Sequence, residues 1–374
     1  MSAVRKLRVA VVGLGIGRSH LLAYRTLADR YEIAAVCDLD ANRLDAVAKE
    51  LELGIATQRT TQFEDLLDTD RFDVIDLCTP PHTHRPLLEA TLGAGLHAIC
   101  EKPLVGSLAD LDAVTAAARN AGRTVFPIFQ YRFGNGLARL KHLQAKGFAR
   151  EAYLSTIETS WLRGAKYYAV PWRGKWATEL GGCCLTHALH AHDILTYVNG
   201  PITTVAAQLA TRVNAIEVED CAAISLGMAN GSVATLAVTL GAAEEISRLR
   251  FMFADLTAES RSRDQYRPGN EPWHIKGKTP ELDAAIDAAL ADFAPQLESF
   301  EGEFAAIHAT LVDGAPPPVT LDDARQSLEL ITAIYHAAET KSVVTLPLAR
   351  DHPKYASWVP ASRSFATHTG AARG

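Results

Sequence analysis

The sequence predicts an α/β protein in two parts: a doubly wound parallel sheet, then a second α/β part built on a mostly antiparallel sheet. Three observations predict it. From residue 7 to about residue 127, short β-branched runs alternate with longer amphipathic stretches, the pattern of a βαβ series. The strands of that series are near-continuously apolar, as strands covered on both faces must be. Past residue 128 the rhythm changes to strands that alternate apolar and polar residues, which suits a sheet with one face buried.

In chain order, strands are predicted at 8–12, 33–37, 55–57, 74–78, 97–100 and 125–128, with helices between them and right-handed crossovers. In the second part, 153–159, 205–209, 222–226 and 232–239 read as strands and 181–198 as one helix. The stretch 244–278 is charged and rich in turn residues, and its pattern assigns no element. Helices return at 280–291, 298–313 and 320–339, the last opening on Thr320-Leu-Asp-Asp323, a capping-box-like start. A final strand at 343–348 precedes a polar tail. The domains read this way are 1–127, 128–350, and an arm or disordered tail over 351–374.

The 374 residues suffice for two domains, and 48% hydrophobic against 21% charged residues supplies apolar surface for large cores. A formal net charge of -6 gives no general pull toward nucleic acid or an anionic membrane, so neither partner is expected. No apolar run approaches the roughly eighteen residues of a membrane span. Met1-Ser-Ala-Val-Arg-Lys leads into the first strand without a signal-peptide core, so the expected location is the cytoplasm. Six cysteines spread over this length fit reduced core thiols, and adjacent Cys183 and Cys184 do not make a metal-type C-x-x-C pair. No metal is expected.

The chain is organised around Val9-Ala-Val-Val-Gly-Leu-Gly-Ile-Gly-Arg-Ser-His20: a buried strand, a glycine turn and the start of a helix. A backbone that turns sharply and approaches a pyrophosphate closely needs residues without a Cβ, which Gly13, Gly15 and Gly17 supply. The following helix points free N–H groups at the phosphates, with Arg18 beside them. Arg18 occupies the sixth place of G-x-G-x-x-G, the last glycine coming one residue early. Asp38 closes the next apolar run, at about the distance where the fingerprint places an acid for the adenosine ribose hydroxyls. A plain tight turn is the alternative for the glycines alone.

Ligands in such sheets lie beyond the carboxyl ends of the strands, and three strand ends carry unusual chemistry: Asp38, Thr79-Pro-Pro-His-Thr-His84, and Glu101-Lys-Pro103. Pro103 disfavours the helical region for Lys102, whose ammonium can polarise a substrate oxygen. A surface lysine paired with Glu101 is the plainer reading. Thr79 and Pro80 rigidify the preceding strand end, and His82 or His84 is a candidate to border a nicotinamide or merely to cap a helix. In Gly182-Cys-Cys-Leu-Thr-His-Ala-Leu-His-Ala-His-Asp193, helical geometry at about 100° per residue puts Thr186, His190 and Asp193 on one stripe about 60° wide. His192 lies about 160° from His190, so one helix does not gather the histidines around a metal. His192 reads as a satisfied core or interface residue, and His190 as a candidate general base. The segment 161–176 concentrates Trp161, Arg163, Tyr168, Trp172 and Arg173; aromatic faces with cationic groups suit a polyhydroxylated ring, with or without a carboxylate. The alternative is an aromatic satellite core or a subunit interface.

Taken together, the glycine turn with trailing His20, Asp38, Cys78-Thr-Pro-Pro81 with His84, Glu101-Lys-Pro103, and a glycine pair before a helix ending in His190-x-x-Asp193 resemble the Gfo/Idh/MocA oxidoreductases. The resemblance runs from Leu7 to Leu348. It implies an N-terminal Rossmann domain, a C-terminal α/β domain whose open sheet often forms the oligomer contact, and NAD or NADP acting on sugars, cyclitols or related alcohols. Lys102 matches the family lysine and His190 the histidine commonly read as acid/base. The family often has Asp four residues before that histidine; here it is Thr186, whose hydroxyl orients a base without stabilising its protonated form, leaving His187 or Asp193 to compensate.

The reading that follows is a dehydrogenase or reductase in which His190 takes the hydroxyl proton, Lys102 stabilises charge on the oxygen, Thr186 orients the base, and Trp161, Arg163, Tyr168, Trp172, Arg173 and His187 hold the substrate. Asp38 favours NAD, since a carboxylate repels a 2′-phosphate; Arg18 and Arg43 leave NADP open. A non-catalytic cofactor-binding sensor and an NAD-dependent glycosidase are the other readings. A homodimer or homotetramer built on the second sheet is expected from fold analogy.

Overall fold

Six strands pair side by side and all in parallel in the first part of the computed structural model, which describes residues 5–261 and 263–360. They are β1 (Leu7–Val12), β2 (Tyr31–Cys37), β3 (Gln58–Thr60), β4 (Val74–Leu77), β5 (His97–Cys100) and β6 (Val125–Pro127), in the order β3-β2-β1-β4-β5-β6. The order reverses between β1 and β4, and the carboxyl ends flanking that reversal are where such sheets hold ligands. Val9, Val11, Val74, Leu77 and Ile99 are fully buried, which is why these strands read as continuous apolar runs.

Helices α1 (Gly17–Thr26), α2 (Ala41–Glu50), α3 (His84–Gly93) and α4 (Leu108–Ala121) fill the crossovers. The Asp40 carboxylate caps α2 through the amides of Asn42 and Arg43. Ser107 caps α4 through Asp110, and Gly122 closes that helix at φ +61°. The strand expected at 55–57 forms three residues later. Ile55 is wholly exposed, so its apolar side chain is a false signal.

The chain divides into two compact units, the first comprising residues up to Gln130 together with Leu297–Arg325. Within the first unit, helix Ser299–Asp313 places Phe304 in stacked contact with Tyr24, ring centroids 4.4 Å apart, while the Tyr31 hydroxyl donates to the Phe304 carbonyl at 2.7 Å.

The second unit is built on an eight-stranded sheet. Its strands are β7 (Ala152–Leu162), β8 (Ile202–Ala210), β9 (Cys221–Met228), β10 (Val233–Thr239), β11 (Gly241–Phe253), β12 (Leu256–Ser260), β13 (Trp273–Gly277) and β14 (Val344–Thr345). They run in the order β13-β12-β11-β7-β10-β9-β8-β14, and among the described strands of this sheet only the β10–β7 pair is parallel. Ile224, Leu226, Leu236 and Val238 face the core, whereas Ala223, Ser225, Thr235 and Ala237 are exposed, the alternation that the sequence carries.

Three sequence expectations change here. The unassigned 244–278 stretch holds β12, β13 and most of β11; its charges pair across strands, Arg248 with Glu259 at 2.7 Å, so charge disguised half-buried strands as loop. The single helix at 181–198 is two, α7 (Cys183–Thr186) and α8 (Leu189–Asn199), following α5 (Asn135–Ala145) and the short α6 (Ala165–Tyr168). The last strand pairs with β8 only at Val344 and Thr345, before Pro347, which has no N–H to donate.

The start of the expected tail packs within the second unit. Trp358 is fully buried and its indole N–H donates to the Leu180 carbonyl at 2.7 Å, while Lys354 pairs with Glu339 at 2.6 Å. Residues 361–374, the rest of that tail, lie outside the described residues. Among the described residues no helix is long and apolar enough to cross a membrane.

Candidate active site

Each glycine of the first turn answers a different demand. Gly13 adopts φ +89° and donates to the Cys37 carbonyl at 2.8 Å; a Cβ there would lie 2.7 Å from the Cys78 carbonyl oxygen. At Gly17 a Cβ would come within 3.0 Å of Val11, so this glycine lets α1 lie close on β1. Gly15 faces open space, with nothing within 4 Å of its missing Cβ. Ile16, at the cap position before α1, makes no side-chain cap and the first turn holds no acid, so no side chain caps the amides that an anion would take.

Asp38, at the end of β2, is buried and aimed back at this turn. Its Oδ2 accepts the Leu14 amide at 2.8 Å and its Oδ1 the Asp40 amide at 2.9 Å. Arg43 approaches the same carboxylate at 3.3 Å. Arg18 turns away to Glu50, its Nε 2.9 Å from Oε2, so it is held in an exposed ion pair. This donor set fits a dinucleotide: an open glycine over uncapped helix amides for the pyrophosphate, and a positioned carboxylate for ribose hydroxyls.

The ends of β4 and β5 are knitted by a buried polar network absent from the sequence expectation. His20 places Nδ1 2.8 Å from Asp76 and Nε2 3.3 Å from Glu101, and the Tyr24 hydroxyl donates to Asp76 at 2.9 Å. Burial opposes charge on the His20 ring, but Asp76 and Cys78 beside it prevail and hold its pKa well above the usual histidine value. Glu101 in turn accepts the Lys102 amide at 2.9 Å, so the network ends at the backbone of the expected catalytic lysine. The one signal in the sequence was an acid inside an otherwise apolar strand, Asp76.

His84 is fully buried, with Nδ1 2.9 Å from the Pro103 carbonyl and Nε2 2.8 Å from the Thr79 carbonyl, and it ties the two strand ends together. Burial lowers its pKa. Thr79 accepts from the Thr83 hydroxyl at 2.7 Å, and Pro80 opens the turn into α3.

In the second unit Thr186 ends α7; its hydroxyl donates to the Gly182 carbonyl at 2.8 Å and lies 2.7 Å from His187 Nδ1. His190 is buried with its ring tilted against Tyr131, centroids 4.6 Å apart. Asp193 is gripped at both oxygens by Arg132, at 2.7 and 2.6 Å, with Tyr197 under the guanidinium at 4.7 Å. That fork fixes the acid expected to help His190. His192 is buried with neither ring nitrogen hydrogen-bonded among the described residues, and burial lowers its pKa to about 3; the satisfied histidine expected there is a neutral ring in the core.

The glycine pair before α7 is explained by Glu219, which the sequence reading missed. Its carboxylate accepts the amides of Gly182 and Cys184, each at 3.1 Å, and the Tyr335 hydroxyl at 3.0 Å. A Cβ on Gly182 would fall 1.9 Å from the Glu219 carbonyl oxygen. Burial raises the Glu219 pKa to about 7 against these donors.

The aromatic segment divides into core and surface. Trp161 is buried, its indole N–H donating to Ser247 at 2.9 Å, with His187 edge-on to its ring at 5.6 Å. Arg163 donates to the Leu162 carbonyl at 2.7 Å, Glu245 at 3.1 Å, Gln265 at 3.3 Å and Tyr266 at 2.7 Å, so its guanidinium is engaged within the unit and not displayed for a substrate. Burial raises the Tyr168 pKa, which keeps that phenol neutral. Trp172 and Arg173 are half-buried.

Comparison with known proteins places this architecture. Residues 7–129 match the model of an oxidoreductase family with an NAD-binding Rossmann fold, and residues 138–259 match the Gfo/Idh/MocA C-terminal domain. The chain belongs to the Gfo/Idh/MocA oxidoreductase family. Among members of this family, D-apiose dehydrogenase of Paraburkholderia graminis is 28% identical over 237 residues, 62% of this chain and 60% of that protein. Inositol 2-dehydrogenase of Salmonella typhimurium is 29% identical over 143 residues, 38% of this chain and 42% of that protein. The chain thus spans less than two thirds of the length of these curated relatives. The WlbA dehydrogenase of Chromobacterium violaceum, solved with NADH and UDP-GlcNAcA, superposes with a TM-score of 0.81 at 27% identity, over 92% of this chain and 97% of that one. Aldose-aldose oxidoreductase of Caulobacter crescentus shares the fold, with a TM-score of 0.77 at 22% identity over 91% and 100% of the two chains.

Proposed function

We propose that this Gfo/Idh/MocA protein is an NAD-dependent dehydrogenase or reductase acting on a hydroxyl or keto carbon of a sugar, cyclitol or related cyclic alcohol. The observation that carries it is Asp38, a buried carboxylate hung on the Leu14 amide beside an uncapped helix N-terminus. Bound NAD would accept the hydride. Gly15 and the amides opening α1 would hold its pyrophosphate, and Asp38 its ribose hydroxyls, where a 2′-phosphate is repelled.

Lys102 and His190 are the residues proposed to act on the substrate oxygen. His190 removes the hydroxyl proton, and the Lys102 ammonium stabilises charge developing on that oxygen. Glu101 and His20 hold the Lys102 backbone, and Tyr131 holds the His190 ring. Thr186 acts on His187. Names of relatives support a sugar-like substrate: D-apiose, inositol and D-xylose dehydrogenases are among them. We further propose that copies associate through the exposed sheet face bearing Ser225, Thr235 and Ala237, which light scattering on purified protein will test.

A screen of sugars, sugar acids, cyclitols and aromatic dihydrodiols for absorbance change with NAD and NADP tests the reading. Turnover with NAD is expected, and Lys102→Ala and His190→Ala each abolish it while NADH still binds. Full turnover in either variant rejects its role. NADH binding without turnover of any compound favours a sensor, and release of an aglycone without net NADH favours a glycosidase.

A further inference from the structure

Arg173 stands apart from the other cations of the second unit. Its guanidinium lies against two aromatic rings, the carbon 3.8 Å from the Tyr167 centroid and 4.5 Å from the Trp172 centroid. Cation–π contact holds the charge without consuming the N–H donors, which stay available for hydrogen bonds. One terminal nitrogen, Nη1, meets the Tyr167 hydroxyl and lies 3.6 Å from Glu179, itself buried and accepting the Gly174 amide. Nε and Nη2 have no acceptor among the described residues. About a quarter of the side chain is exposed, 24% by area, so that edge is reachable from outside while the stem is fixed.

Arg163 is the contrast. It shares the Tyr167 ring, at 5.6 Å, but both of its terminal nitrogens donate to acceptors within the unit. Arg173 therefore presents the fork of two N–H vectors that matches a carboxylate, pre-oriented so that little side-chain freedom is lost on binding. Burial and the neighbouring Arg163 lower the Arg173 pKa in spite of Glu179. Glu179 still offsets part of the charge, and Arg163 is engaged elsewhere. The uncompensated charge thus suits a monoanion better than a phosphate dianion.

We propose that Arg173 receives a carboxylate of the substrate, so that the preferred ring is a sugar acid and not a neutral sugar. This rests on the oxidoreductase reading above for the word substrate, though the subsite is testable without turnover. Binding of D-glucuronate and D-galacturonate to the NAD-loaded protein is measured by tryptophan fluorescence, Trp172 being in contact with the guanidinium. Each acid is compared with its neutral counterpart and with inorganic phosphate. At least one acid binds about tenfold or more tighter than its neutral partner, and Arg173→Gln weakens acid binding about 10- to 100-fold, more than it weakens binding of the neutral partner. Arg173→Lys, which keeps the charge and loses the fork, loses most of the same preference and serves if the glutamine variant fails to fold.

Equal binding of acids and neutral sugars, binding of no acid, an acid preference that survives both substitutions, or phosphate binding tighter than every acid overturns the proposal. The two readings separate cleanly. An Arg173-dependent acid preference with no NADH formed from any compound keeps the subsite and removes the dehydrogenase. Turnover of neutral sugars alone, indifferent to Arg173→Gln, does the reverse.

Discussion

The His20 imidazole and the Asp76 carboxylate meet at 2.8 Å with neither exposed to solvent. A pair of this kind is costly to break, because the survivor is left as an uncompensated buried charge. His20→Asn is expected to lower stability by about 3–5 kcal/mol near pH 6. The His20 pKa is raised in the folded state, so its stabilisation is fully present below the unfolded value of about 6.5 and is lost as pH rises through the folded value. Urea unfolding across pH 6 to 10 checks this: wild type converges on the variant as pH rises, and parallel profiles would remove the charge from His20.

Glu219 sets a second, more acidic window. Its raised pKa of about 7 means that its contribution is complete below the ordinary carboxyl value of about 4.5 and declines as pH climbs to about 7. Glu219→Gln keeps the carbonyl acceptor and removes the titration. The variant should show a shallower loss of stability between pH 4.5 and 7; an unchanged slope assigns that loss to other groups.

Arg132 and Asp193 give a double-mutant cycle. Arg132→Met alone strands a buried carboxylate and costs about 3–5 kcal/mol, whereas Arg132→Met with Asp193→Leu recovers much of the loss. Denaturant midpoints of the four proteins measure it. Additive losses would show that the two side chains act independently.

Asp38→Ala is predicted to weaken NADH binding about 10- to 100-fold in a fluorescence titration, since it removes a charged acceptor for the ribose and frees the Leu14 amide. NADPH should be affected less. Tighter NADPH than NADH binding in the wild type would contradict the cofactor assignment.

The first sheet was legible because its strands are buried on both faces, and an apolar run such as Val9-Ala-Val-Val12 has no other comfortable home. Gly13 and Asp38 were legible for a similar reason, as backbone strain and a strand-end acid are local facts. What escaped was non-local. Nothing near Gly182 in the chain says why a glycine pair precedes α7, because the amides of Gly182 and Cys184 go to Glu219, in the loop before β9. Likewise the ion pairs of 244–278 are invisible until Arg248 and Glu259 are set on adjacent strands. His84 has the spacing of a ligand-facing residue, and only its two carbonyl partners reveal a staple.

The buried Trp358 bears on where this protein can be cut. Trimming at residue 350, the obvious choice from the polar composition that follows, would pull an indole out of the second unit and strip the Leu180 carbonyl of its donor. Any shortened version should therefore run to residue 360, with purification tags fused beyond that point.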